Sequence, residues 1–263
     1  MVRLIVTDMD GCLLDENGRM PPDFDRAFDL MKERSVIFAA ASGRSIAGLR
    51  KPFGKYADGI TFITDNGARI NHDGRWIAET MLDKEDYTVM LDDLRKYDGV
   101  LPVACGETSA WVEHADLITA EIRQELLKYF PSWNQCSFDC IPERVMKIAL
   151  LYFDDIEKNI YPYFKKYDNE KICVQVTAYV WIDIYRKAVS KGNAVGTLQR
   201  ILGIAPEETV VFGDYLNDLS MADFAGTSCA PANAHPDVIK RFTETIRPNT
   251  EHGVTKKIIE LLG

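Results

Sequence analysis

The stretch Leu4-Ile5-Val6-Thr7-Asp8-Met9-Asp10-Gly11-Cys12-Leu13-Leu14 constrains this chain more than any other. Its opening apolar run reads as a parallel strand buried on both faces. Two carboxylates, Asp8 and Asp10, follow where that strand should end, and Gly11 lets the backbone turn sharply after them. In open α/β sheets, ligands sit beyond the carboxyl ends of the strands. Two acids one residue apart at such a place pack poorly and suit a hard cation. Taken alone, the same residues also fit a strand followed by an ordinary acidic turn.

The chain then alternates. Pro22 to Arg34 predicts a helix, with Pro near its start and Phe24, Phe28 and Met31 along one face. Val36 to Ala41 predicts a second buried strand, ending at Ser42-Gly43-Arg44, where another helix should begin. Ile60 to Thr64 predicts a third strand, ending at Asp65-Asn66-Gly67. This alternation implies a parallel sheet with right-handed crossovers. Ala68 to Ile70 and Arg75 to Ile77 flank Asn71-His72-Asp73-Gly74, a hairpin signal. From about Asp83 the grammar becomes α+β, with helices over 83–97 and 116–129 and short strands over 101–105, 110–113, 145–153, 171–177 and 180–185. Near Lys187 the βα pattern returns. Ser190 opens a helix to about Leu202, Thr209 to Phe212 is a strand ending in Gly213-Asp214, and a short helix follows Asn217-Asp218. Another helix follows Pro231-Ala232-Asn233-Ala234, Phe242 to Ile246 is a last strand, and His252 to Leu262 a last helix. The expected architecture is α/β. A Rossmann-like parallel sheet core is formed discontinuously by residues 1–82 and 187–263, with an inserted α+β cap domain over 83–186.

Composition narrows the partners. The 263 residues, 46% of them hydrophobic, can fill one large core or two modest ones. With 31 basic against 40 acidic residues the net charge is -9, and no dense Lys/Arg run occurs. Nucleic acid and anionic membranes are therefore not expected as partners, whereas a small anionic substrate needs only a few local donors. No apolar run of about 18 residues predicts a membrane span, and the opening strand leaves no room for a leader. Cys12, Cys105, Cys136, Cys140, Cys173 and Cys229 are scattered and match no zinc spacing. They read as reduced thiols of a cytoplasmic protein.

Four loops fall at strand ends or helix openings: Asp8-Met9-Asp10, Ser42-Gly43, Lys191, and Asp214 with Asn217-Asp218. Singly they read as an acidic turn, a helix cap, a solvated lysine and a polar turn. Their joint occurrence in this order, on an interrupted α/β pattern, is far more specific. On Asp8-Met9-Asp10-Gly11-Cys12-Leu13-Leu14, Ala41-Ser42-Gly43-Arg44, Asp65-Asn66-Gly67-Ala68, Val189-Ser190-Lys191-Gly192 and Gly213-Asp214-Tyr215-Leu216-Asn217-Asp218, the chain resembles the haloacid dehalogenase (HAD) superfamily. More narrowly it resembles the Cof-type phosphatase branch, over essentially its whole length.

That resemblance implies a HAD-like fold and a phosphatase acting on a small phosphorylated metabolite. Asp8 would be the nucleophile that forms an aspartyl-phosphate, and Asp10 the acid and then the base. Mg²⁺ would be held by the Asp8 carboxylate, the Asp10 carbonyl and the Asp214 carboxylate. Asp218 would fix a metal-bound water or Lys191. Ser42, Gly43, Lys191 and Asn217 would bind the phosphate, with the first two read as a helix start. Arg44 and Asn66 are candidates for contact with the leaving group. The usual Thr after the Asp-x-Asp-Gly turn is Cys12 here, a weaker hydrogen-bonding group that could loosen the loop. A phosphomutase shares the same core and would release little phosphate, and a phospho-ligand binding or signalling protein would turn over weakly. His114 and His235 read as ordinary surface or cap residues, and Trp111, Trp133, Trp181 and Tyr179 as packing.

Overall fold

The computed structural model describes residues 1–97, 99–130 and 132–263, apart from the side chain at 178. In chain order the elements are β1 (Leu4–Asp8), α1 (Phe24–Glu33), β2 (Ile37–Ala41), α2 (Ile46–Arg50), β3 (Thr61–Thr64), β4 (Arg69–His72) and β5 (Arg75–Glu79). Next come α3 (Lys84–Leu94), β6 (Leu101–Gly106), β7 (Ala110–Val112), α4 (Ala120–Tyr129), β8 (Trp133–Gln135), β9 (Val145–Leu151), α5 (Ile156–Asn159), α6 (Tyr161–Phe164), β10 (Ile172–Ala178) and β11 (Trp181–Arg186). The chain ends with α7 (Lys191–Leu202), β12 (Thr209–Phe212), β13 (Thr227–Pro231), α8 (Pro236–Arg241), β14 (Glu244–Ile246) and α9 (Gly253–Leu262). These elements form two compact units, Met1–Glu79 with Val189–Gly263, and Thr80–Ala188. The changes of sequence grammar lie at 82/83 and 186/187.

The first unit holds an eight-stranded sheet in the order β14-β13-β12-β1-β2-β3-β4-β5. The first six strands run parallel, and β4 and β5 add an antiparallel hairpin at one edge. β1 is central, paired with β12 on one side and β2 on the other, which is why all five of its residues are buried. Its side chains alternate between faces. Ile5 joins Phe24 of α1, Phe38, Phe62 and Ile258 of α9. Leu4 and Val6 join Val195 and Leu198 of α7 and Val238 of α8. Full burial of such a side chain contributes about 1.5–3 kcal/mol. From β1 the chain winds outward through β2 and β3 on one side, and through β12, β13 and β14 on the other. The strand order thus reverses at the β1–β12 boundary, the place where open α/β sheets form their ligand crevice.

The structure adds one strand that the sequence pattern does not mark and moves one helix start. β13 was not anticipated, because Thr227-Ser228-Cys229-Ala230-Pro231 lacks branched apolar residues; it is buried by its neighbours β12 and β14. The helix after β2 does not begin at Ser42-Gly43. It begins at Ile46 behind Ser45 and is only five residues long.

The second unit is a mostly antiparallel six-stranded sheet in the order β10-β11-β9-β6-β7-β8. Helices α3, α5 and α6 cover one face, through Met90, Leu91, Ile156 and Phe164. α4 covers part of the other, where Leu126 meets Leu101, Leu151 and Trp181. Trp181 is buried edge-on against Tyr129 and Phe130, and its indole N–H donates to Glu125 at 3.0 Å. Trp111 donates to Glu143 at 2.5 Å, and the Arg123 guanidinium sits 5.3 Å from the Trp133 ring. Tyr179 projects into solvent at the β10–β11 turn, and His114 is exposed. All six cysteines are free thiols. No helix among the described residues is long and apolar enough to cross a membrane.

Candidate active site

The site is assembled at the carboxyl ends of β1 and β12 and the start of α7. Asp8 is the last residue of β1 and is 7% exposed. The following turn brings Gly11 to a left-handed φ of +79°, and a Cβ there would lie 2.5 Å from Asp214 Oδ2. Glycine is thus required twice, by conformation and by contact. Leu14 N–H donates to the Met9 carbonyl at 2.8 Å and closes the turn. Ser190 caps α7 by accepting from Asn193 N–H at 3.0 Å, so that Lys191 opens the helix pointing inward. Its side chain is 1% exposed and its Nζ donates to Asp8 Oδ1 and, at 2.7 Å, to Asp218 Oδ1.

Asp218 is fully buried, and its second oxygen accepts the backbone N–H groups of Asp214 at 3.0 Å and Tyr215 at 3.1 Å. Both of its oxygens are therefore engaged by protein donors, and it fixes both Lys191 and the loop that carries Asp214. Oxygens of Asp8, Asp214 and Asp218 lie within 4.8 Å of one another. Three carboxyl groups cluster around one ammonium, two more negative charges than it can balance when all are ionised. Burial drives the Asp8 carboxyl up to about 6; Lys191 pulls it down and Asp218 pushes it up. Burial, followed by Asp8 and Asp218, drives Asp214 up to about 8. Burial works against the charge on Lys191, yet Asp218 and Asp8 hold it above its ordinary value.

These residues fit a divalent cation. Asp214 Oδ1 is buried without a hydrogen-bond partner among the described residues. An oxygen-only donor set drawn from three clustered carboxyl groups suits a hard dication such as Mg²⁺, whose charge would displace the protons they hold. Asp8 and Asp214 have the oxygens to offer it, while those of Asp218 are occupied.

The other anticipated residues are distributed around this cluster. Asp10 lies on the exposed side of the turn, and Arg44 grips it with Nε to Oδ2 at 2.9 Å and Nη2 to Oδ1 at 2.5 Å. Arg44, expected to reach a leaving group, is thus engaged with the carboxylate of Asp10. Ser42 is buried, and its Oγ accepts Arg44 N–H at 3.2 Å. Because α2 starts at Ile46, Ser42 and Gly43 are loop residues rather than a helix start. Asn217 is exposed, and its Nδ2 donates to Asn66 Oδ1 at 3.1 Å. Cys12 is buried, with its Sγ 3.8 Å from Thr7 Oγ1. Burial first, then Asp8, Asp214 and Asp218, hold its thiol well above the usual range.

Sequence reasoning missed the residues that brace the loops. Asn233 Nδ2 donates to the Gly11 carbonyl at 2.8 Å. Asn249 donates its N–H to Asn233 Oδ1 at 2.9 Å and its Nδ2 to the Leu14 carbonyl at 2.9 Å. These amides tie the Gly11 and Leu14 carbonyls of the turn to the loops after β13 and β14. His235, in the first unit, donates its N–H to the Asp214 carbonyl at 2.8 Å, and its ring lies edge-on to Tyr215 at 5.7 Å. The one available signal was the cluster of turn residues at Pro231-Ala232-Asn233-Ala234.

Lys191 bridging Asp8 and Asp218 beside Asp214, at the switch point of a parallel sheet, is a site built for an anionic ligand and a cation, and comparison with known proteins gives its class. Residues 5–258 match the family model of the haloacid dehalogenase-like hydrolases. The chain belongs to that family, in its Cof-type phosphatase branch. It is 27% identical to the 5-amino-6-(5-phospho-D-ribitylamino)uracil phosphatase YbjI of Escherichia coli, covering 99% of this chain and 96% of that protein. It is 25% identical to the HMP-PP phosphatase of Klebsiella pneumoniae, over 90% of this chain and 87% of that one. Among solved structures, SMU.1108c of Streptococcus mutans is similar with a TM-score of 0.87 and 27% identity, covering 100% of this chain and 99% of the other.

Proposed function

We propose that this protein is a Mg²⁺-dependent phosphatase that hydrolyses a small phosphorylated metabolite through a phosphorylated Asp8. The observation that carries this reading is the buried cluster in which Lys191 bridges Asp8 and Asp218 beside the unpartnered oxygen of Asp214. An ammonium on the Asp8 carboxylate keeps it anionic and aimed, as a nucleophile needs. Mg²⁺, held by Asp8, Asp214 and the Asp10 carbonyl, would neutralise the charge of an incoming phosphate.

Asp8 attacks phosphorus, the ester bond breaks, and the departing oxygen takes its proton from Asp10. Water then attacks the aspartyl-phosphate, giving its proton to Asp10 and releasing inorganic phosphate. Arg44 occupies both oxygens of the Asp10 carboxyl group, so that ion pair has to open before Asp10 can reach the leaving oxygen. Lys191, Ser42 and Asn217 supply phosphate donors, with Gly43 N–H beside them; positioning and charge stabilisation are most of what such a transfer requires. The unit Thr80–Ala188 carries no member of this cluster and is the source we assign to substrate selection. The test is phosphate release from a panel of phosphorylated metabolites. Excess EDTA should abolish it and Mg²⁺ restore it, with label trapped on Asp8. Full hydrolysis in EDTA, or isomerisation without phosphate release, refutes the reading.

A further inference from the structure

Asp65, Asn66 and Gly67 have consecutive positive φ angles of 53°, 56° and 101°. Successive left-handed residues, two of them not glycine, persist only where the surroundings hold them. Here those surroundings are the site loops. Asp65 N–H donates to the Arg44 carbonyl at 3.1 Å, and Asn66 N–H to the Ser42 carbonyl at 3.0 Å. At Gly67 a Cβ would stand 2.3 Å from the Ser190 carbonyl oxygen, so this loop is pressed against the cap of α7 next to Lys191. The Asn66 amide lies beside Gly43, 3.2 Å from where a Cβ would be, and its Oδ1 accepts from Asn217 Nδ2 at 3.1 Å. One strained loop therefore touches all three segments that carry the proposed phosphate donors. A side-chain amide has two N–H groups in one plane, so occupying one fixes the direction of the other.

We propose that Asn66 is a positioning residue, which holds one N–H of Asn217 and thereby aims the second at the substrate phosphate. This rests on the reading of Asn217 as a phosphate donor. It is distinct from a contact between Asn66 and the leaving group, because its effect has to pass through Asn217. Binding of phosphate itself, before and during transfer, should depend on Asn66, so the effect falls on KM rather than kcat.

The experiment compares Asn66→Gly, Asn217→Ala and the double variant by steady-state phosphate release in Mg²⁺ and by inhibition with inorganic phosphate. Glycine keeps the left-handed backbone without strain. Asn66→Gly should raise KM and the phosphate inhibition constant about three- to tenfold, the range of one ordinary hydrogen bond. It should leave kcat within about twofold, and the double variant should be no worse than Asn217→Ala alone. Effects that multiply, or a wild-type Asn66→Gly beside an impaired Asn217→Ala, overturn the proposal alone. An Asn217→Ala enzyme with unchanged phosphate inhibition overturns the Asn217 reading and this proposal with it. A large fall in melting temperature with kcat and KM damaged together marks a purely structural residue and also overturns it.

Discussion

Replacing Lys191 by Met should uncover the electrostatics of the site. Methionine is apolar and similar in length, so the 1% exposed position stays filled and the loss is of charge rather than volume. Asp218, fully buried, then keeps only its two backbone donors. Asp8 already titrates near 6 because burial raises it more than Lys191 lowers it, so without Lys191 it takes up a proton at pH 7 and relieves its own share. Removing one partner of a buried pair costs about 3–5 kcal/mol. For a unit of this size each kcal/mol moves the melting temperature by roughly 2–4 °C, so the variant should melt about 6–20 °C lower in EDTA. A ligand at a hundred times its Kd adds about 2.7 kcal/mol to whatever binds it folded. With no ammonium competing, Mg²⁺ should raise the melting temperature more in the variant than in the wild type, although turnover is lost. Adding Asp218→Asn removes the stranded charge and should recover at least half of the deficit. Thermal unfolding in EDTA and in a Mg²⁺ series tests each point. Equal melting of wild type and Lys191→Met in EDTA, or equal shifts with Mg²⁺, would refute the argument.

Other outcomes follow from the same geometry. Asp8→Asn should abolish both phosphoenzyme and turnover; Asp10→Asn should lose about 10²–10⁴-fold on alkyl phosphates yet give a burst of about one nitrophenolate per site with p-nitrophenyl phosphate, and near wild-type turnover of a sugar phosphate would remove Asp10 from the mechanism. Asp8 at about 6 and Asp214 at about 8 lie above their ordinary values near 4, so the folded metal-free protein binds the extra protons and its stability falls as pH rises from about 4 to 8. Because the cation displaces those protons, its affinity should rise over pH 6–8 with measurable proton release by calorimetry, and a flat profile would contradict the assignment. Gly67→Ala forces a side chain into φ 101° against the Ser190 carbonyl, and should cost more than about 1–3 kcal/mol in chemical denaturation while displacing Lys191.

How much of this was legible in the chain depended on the range of the interactions. β1, β2 and β12 are short, mostly apolar runs rich in Ile, Val, Phe and Ala, and burial on both faces leaves few other places for them. β13 carried no such mark, since its residues are small and its burial is imposed by β12 and β14. Ser42-Gly43-Arg44-Ser45 holds two serines able to cap a helix, and local propensity cannot rank them. Tertiary context ranks them: Ser42 N–H donates to the Ile63 carbonyl and its own carbonyl accepts from Asn66, so the chain at Ser42 is still tied to β3 and the helix has to wait for Ser45. The same division runs through the site. Acids and a lysine beside strand ends announce their chemistry by type, because such groups are poor packing material there. Their partners do not. Arg44 reaches Asp10 across 34 residues, Asn66 meets Asn217 across 151, and Asn233 holds Gly11 across 222. Each of these partners is an ordinary loop residue until the sheet order brings β1 beside β2 and β12. The reacting groups can therefore be named from local pattern, whereas their aim is set by loops whose neighbours only the completed sheet decides.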